Sequence, residues 1–200
     1  MPLVIGLTGG IASGKSTVAN MLRDKNIPIV DADIVAREVV EIGTDTYKEL
    51  VKEFGTEILN DDKTLNRPKL GSIIFQDETK RQKLNNIMHP SIRTSMKEKT
   101  QKFLEDGHEV VVMDIPLLFE SKLTHLVDKT LLVYVTEATQ LKRLMERNDL
   151  SEKEATDRIR SQMPLTEKVK LSHAIIDNNG SVTKTEQQLN QILKEWKIKV

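Results

Sequence analysis

Gly9-Gly10-Ile11-Ala12-Ser13-Gly14-Lys15-Ser16 fits the pattern G-x-x-x-x-G-K-[ST]. It follows the apolar run Leu3–Leu7 and opens a helix-forming stretch, Ser16 to Arg23. Phosphate binding needs that setting: backbone N–H groups curled inward at a helix N-terminus, where the dipole favours negative charge. Glycines let the backbone come close to phosphate oxygens. Lys15 is expected to bridge β- and γ-phosphates, the Ser16 hydroxyl to ligand Mg²⁺, and Thr17 to offer a donor to the α-phosphate. The nucleotide-binding set is therefore Gly10, Ile11, Ala12, Ser13, Gly14, Lys15, Ser16 and Thr17. A glycine-rich strand–helix turn with no ligand is the plainer alternative.

Outward from this loop the chain alternates short apolar runs with helical stretches. Leu3–Leu7, Pro28–Val30, Val110–Met113, Leu131–Val135 and Ala174–Ile176 read as buried strands, rich in Val, Ile and Leu and without alternation. The helical stretch Ala138 to Arg147 follows the fourth run. This βαβ rhythm predicts an α/β fold, a parallel sheet of five strands flanked by helices with right-handed crossovers. The long interval between the second and third strands reads helical. Tyr47–Phe54 stops at Gly55, a C-cap signal. Glu78 to Met88 forms another helix, Pro90 sits where a first helical position tolerates it, and Ser91–Asp106 follows. A capping box, Ser151 with Glu154, starts a helix after the fourth strand. The expected organisation is a nucleotide-binding core (1–33, 108–140 and 171–200), a helical substrate-binding insertion (34–107) and a helical lid (141–170).

The second strand ends in Asp31-Ala32-Asp33. Acids at the carboxyl end of a parallel strand project into the crevice where ligands bind. Phosphoryl transfer to a hydroxyl needs a carboxylate that orients it and takes its proton. Either aspartate suits that task, and either also suits a helix N-cap. Asp114 ends the run Val110–Met113 and is read as positioning Mg²⁺ or water, or as capping the turn at Pro116. Arg143, Arg147, Arg158 and Arg160 fall within eighteen residues. A lid closing over ATP needs such cations, and Arg143 lies nearest the sheet. Interleaved Glu146, Asp149, Glu152, Glu154 and Asp157 make a solvated surface the competing reading.

Composition removes several function classes. Among 200 residues, Lys plus Arg total 30 and Asp plus Glu total 30. A net charge of zero argues against holding nucleic acid or an anionic membrane by bulk charge. The absence of cysteine excludes disulfides, thiolate zinc sites and a cysteine nucleophile. His89, His108, His125 and His173 show no ligand spacing, which argues against a histidine metal site. No run reaches the roughly 20 apolar residues that span a bilayer, and the N-terminus lacks the pattern of a signal peptide. A cytoplasmic protein is expected, with a monomer favoured.

Taken together, several segments resemble the dephospho-coenzyme A kinase family over nearly the whole chain. They are IGLTGGIASGKST at 5–17, DAD at 31–33, HPSIR at 89–93, DIPLLFE at 114–120, QLKRLMER at 140–147, RIRSQM at 158–163 and IIDNNG at 175–180. The phosphate loop is shared by very many enzymes; its combination with DIPLLFE and HPSIR is far more specific. The resemblance implies a P-loop kinase that moves the γ-phosphate of ATP, with Mg²⁺, to the ribose 3′-hydroxyl of dephospho-coenzyme A. It implies that Asp33 is the general base, with Lys15 and Arg143 also catalytic. Arg143 and Asn178 join the nucleotide set, Asn178 near the adenine. Thr8, Asp33, His89, Arg93, Leu117 and Phe119 form the acceptor side. Two departures stand out: Ala12 and His173 occupy positions where relatives often carry glycine and an acidic residue. A nucleotide or nucleoside kinase on the same fold is the nearest rival, and a nucleotide-dependent switch or ATPase a more distant one.

Overall fold

β1 (Leu3–Gly9), β2 (Ile29–Asp31), β3 (Val110–Asp114), β4 (Lys129–Tyr134) and β5 (Ala174–Asp177) form a five-stranded sheet in the order β2-β3-β1-β4-β5. This computed structural model describes residues 2–75 and 77–199. β1 pairs in parallel with both β3 and β4, and β4 pairs in parallel with β5. Each strand lies on one of the five predicted apolar runs, shifted by two residues at most. The runs show no alternation because both faces of the sheet are covered. Leu131 and Val133 of β4 join a cluster with Ile5, Leu7, Val18, Leu22, Leu189 and Leu193, while Leu132 between them joins Leu165 and Val135. That is the two-residue period of a strand buried on both sides. Each such side chain contributes about 1.5–3 kcal/mol by burial.

The chain divides into two compact units, Met1–Val30 with Thr100–Val200, and Asp31–Lys99. The first holds the sheet together with α1 (Lys15–Asp24). The second contains α2 (Ala32–Glu38), α3 (Asp45–Phe54), α4 (Arg67–Phe75) and most of α5 (Glu78–Glu105). It has its own core of Val40, Leu50, Ile58 and Leu70, packed by Leu84, Ile87 and Met88. Thr44 caps α3 by accepting from the Tyr47 N–H, and Gly55 ends it at φ 81°. The first unit also carries α6 (Glu137–Asn148), α7 (Glu152–Arg160), α8 (Leu165–Leu171) and α9 (Val182–Glu195). Both halves of the Ser151–Glu154 capping box are formed at the start of α7.

The sequence expectation of two helices meeting at Pro90 is corrected. α5 runs unbroken for 28 residues with Pro90 inside it. An interior proline costs about 3 kcal/mol in a helix. Pro90 is exposed, so water can solvate the carbonyl that its missing N–H leaves unpaired. Leu84, Ile87 and Met88 before it pack on the core of this unit and Met96 after it is fully buried, so the helix is held by packing on both sides of the proline.

Candidate active site

The register gathers the chemistry at the carboxyl ends of the central strands. Leu7 lies beside Asp114, Gly9 beside Val133, and Tyr134 beside Asp177, which immediately precedes Asn178. Because β1 has β3 on one side and β4 on the other, the loop after β1 sits at the topological switch point, where open α/β sheets bind ligands.

That loop is shaped by its own backbone. The Ser13 N–H turns back to the Gly10 carbonyl at 3.1 Å, and the Thr17 N–H to Gly14 at 3.0 Å. Gly14 is the N-cap of α1 at φ 86° and offers no side-chain cap. The N–H groups of Gly14, Lys15 and Ser16 find no acceptor among the described residues, so the helix presents three free donors at its positive end. A Cβ at Gly14 would lie 2.1 Å from the Asn178 amide nitrogen, so this position excludes a side chain by space as well as by φ. Ala12 adopts φ 58°, the left-handed region that glycine enters freely. The loop therefore keeps its shape while carrying a β-carbon there.

Three side chains at the head of α1 are held in place. The Lys15 ammonium pairs with the carboxylate of Asp114, which is 3% exposed. The Asn178 amide donates to the Ser13 carbonyl at 2.8 Å and accepts from the Thr185 hydroxyl at 2.6 Å. The Arg143 guanidinium donates to the Asn178 carbonyl at 2.9 Å and lies close to Gly14. Ser16, on the exposed first turn, uses its hydroxyl on no other described residue. That leaves it free for a cation that arrives with phosphates. Magnesium is usually held by substrate phosphates plus one or two protein oxygens. Among the described residues no group of three His, Asp or Glu gathers.

DAD separates into two tasks. Asp31 is the N-cap of α2, and its side chain accepts from the N–H groups of Asp33 and Ile34 at 2.8 and 3.2 Å. The capping role left open between the two acids thus belongs to Asp31. The Asp33 carboxylate is exposed and is bonded to no other described residue. His89 and Arg93 stand one turn apart on α5, both exposed. Partial burial of the His89 ring and then the neighbouring Arg93 charge hold its pKa below the ordinary imidazole value. In the first unit, Leu117 is exposed, whereas Phe119 and Thr8 are buried. The Thr8 hydroxyl donates to the Pro116 carbonyl at 3.0 Å and so supports the turn after β3.

Sequence reasoning missed several supports. Lys168 is completely buried, with its ammonium 2.8 Å from Glu120 and 3.3 Å from the Pro116 carbonyl. Glu120 also accepts from the Met163 N–H at 3.1 Å. The spacing of Lys168, three residues from the buried Leu165, turns it toward the same face of α8, but spacing names no partner for it. Gln140 and Gln162 both reach Ile11 in the loop. His173 accepts from the Thr130 N–H and returns its own N–H to the Thr130 hydroxyl, joining the chain before β5 to β4.

A family model described as dephospho-CoA kinase matches residues 3–184. The chain belongs to that family. It is a kinase, a transferase that uses ATP. A dephospho-CoA kinase from Bacillus cereus is 57% identical over 198 residues, covering 99% of each chain. One from Oceanobacillus iheyensis is also 57% identical, over 99% of this chain and all of its own. Among solved structures, a protein from Thermus thermophilus matches 97% of each chain with a TM-score of 0.82 and 34% identity. The Campylobacter jejuni dephospho-CoA kinase covers 98% of each chain with a TM-score of 0.76 and 28% identity. A shikimate kinase from Bacteroides thetaiotaomicron, at 16% identity and TM-score 0.52, shares the fold alone.

Proposed function

We propose that this kinase transfers the γ-phosphate of ATP to the ribose 3′-hydroxyl of dephospho-coenzyme A, giving coenzyme A and ADP, the last step of coenzyme A synthesis. The family match over residues 3–184 carries the reading, because it spans the acceptor-side segments as well as the phosphate loop. In the step, the hydroxyl oxygen bonds to the γ-phosphorus while the bond from that phosphorus to the β–γ bridging oxygen breaks. The hydroxyl proton passes to the Asp33 carboxylate, and ADP leaves.

The division of labour follows from the residues. The free N–H groups of Gly14, Lys15 and Ser16 bind phosphate oxygens, with Gly10 to Thr17 as the wider cradle. Lys15 and Arg143 stabilise charge on the transferred group. Asn178 braces the loop through the Ser13 carbonyl, and its neighbours approach the adenine. Asp33 is suited to the base role because Asp31 has taken over the cap. His89, Arg93, Leu117, Thr8 and Phe119 are assigned to the acceptor side. Ser16 would hold Mg²⁺, which would supply neutralisation of the phosphate charge. Residues 141–170 serve as the lid. We place the enzyme in the cytoplasm, where its phosphoryl donor ATP is found, as a monomer.

An ADP-release assay tests this directly, with the product identified by mass. Dephospho-coenzyme A should be turned over, with little activity on AMP or adenosine. Turnover confined to AMP or adenosine would overturn the acceptor. ATP loss without any acceptor would point to an ATPase.

A further inference from the structure

Ile11 is the only residue of the phosphate loop with both of its own backbone groups bonded to side chains among the described residues. Its N–H donates to Gln162 Oε1 at 2.9 Å, and its carbonyl accepts from Gln140 Nε2 at 2.8 Å. The two glutamines come from different elements. Gln140 lies in the first half of α6, and Gln162 lies in the connection between α7 and α8. Gln140 is buried, and Leu165 closes the same side: a Cβ on Gly10 would lie 2.7 Å from the Gln140 amide and 3.1 Å from Leu165. Next to this held residue is Ala12, in a left-handed conformation that disfavours a residue with a β-carbon. Beyond it come the three free N–H groups of the helix head.

We infer that Gln140 and Gln162 are positioning residues that clamp Ile11 from both sides, keeping the loop in its phosphate-ready shape against the strain at Ala12. The clamp also ties the loop to the residue just before the 141–170 segment and to one inside it, so a displacement of that segment is felt at Ile11. Neither glutamine needs to touch phosphate. Indeed, while Gln162 holds the Ile11 N–H, that donor is spent on protein. This inference rests on the loop being the ATP site of the proposed reaction.

Gln140→Met and Gln162→Met keep side-chain length and remove the hydrogen bond. One net hydrogen bond is worth up to about a tenfold change in an equilibrium. By calorimetry in magnesium buffer, each variant should raise the Kd for ATP about fivefold to tenfold. Binding of dephospho-coenzyme A should stay within about twofold, a split that a general loss of structure would not give. Hydrogen exchange at the Ile11 amide should quicken in Gln162→Met, because its acceptor is gone. Gln162 is only partly buried, so that variant decides the matter if Gln140→Met fails to fold. An unchanged ATP Kd in folded Gln162→Met, or equal weakening of both ligands, would overturn the clamp. A wild type that binds ATP yet leaves dephospho-coenzyme A untouched would overturn the proposed acceptor and leave the clamp standing.

Discussion

The head of α1 and the helices of Asp31–Lys99 treat their candidate residues in opposite ways. At the helix head, Lys15, Arg143 and Asn178 are each fastened to a partner, and the loop backbone is folded on itself. In the second unit, Asp33, His89 and Arg93 are exposed, and none of their side chains forms a hydrogen bond or ion pair to another described residue. The difference matches the two chemical tasks. Stabilising a phosphate needs dipoles and charges that are fixed before the ligand arrives, so that no reorganisation is required during transfer. Orienting a hydroxyl and accepting its proton needs a carboxylate whose oxygens are not already engaged.

The contrast can be broken most forcefully at Lys15. Lys15→Ala removes the cation proposed to meet the phosphates and takes one ion-pair partner from Asp114. kcat/KM should fall by about 10²–10³-fold, and the melting temperature should fall with it, because the buried carboxylate loses its lysine. Normal kcat would remove Lys15 from the transfer step. Arg143→Ala should have a smaller effect, lowering kcat about tenfold or more while acceptor affinity stays within about twofold. Unchanged kcat would make it a surface residue that merely bonds the Asn178 carbonyl.

Ala12→Gly sharpens the same comparison from the backbone side. Glycine relieves the left-handed strain, so stability to thermal or denaturant unfolding should rise by about 1 kcal/mol or less. ATP affinity should hold, because the clamp on Ile11 already fixes the loop. The smallest effect concerns the second unit. By NMR, the His89 ring should titrate below its ordinary 6.5, and Arg93→Ala should move the midpoint upward. With the folded value lowered, the unfolded chain binds more protons below about pH 6.5. The contribution of His89 to stability is therefore full above that pH and declines as the pH falls through the folded value. A midpoint at or above 6.5 would show that neither burial nor Arg93 acts on the ring.

The sheet was legible in the sequence because burial on both faces writes itself as continuous Val, Ile and Leu runs. The phosphate loop was legible because glycine spacing encodes a backbone shape. α5 was misread for a local reason. Pro90 signals a break, and only the tertiary burial of Leu84, Ile87 and Met88 before it and Met96 after it shows that the helix continues. The split of DAD into a cap and an unengaged acid could not be read from residue preference, since both aspartates satisfy it; only the family resemblance singled out Asp33. Gln140, Gln162 and Lys168 escaped because each acts on a residue far away in the sequence. Spacing along the chain carries no trace of such pairings.

The most direct test of this division of labour is Asp33→Asn, read by ATP calorimetry and by turnover of dephospho-coenzyme A. Asp31 keeps the cap of α2, so the fold should be unaffected. ATP affinity should match the wild type, and kcat should fall by about 10²-fold or more as the general base is lost. Wild-type kcat, or a loss of ATP binding as large as the loss of turnover, would contradict the assignment of proton transfer to Asp33.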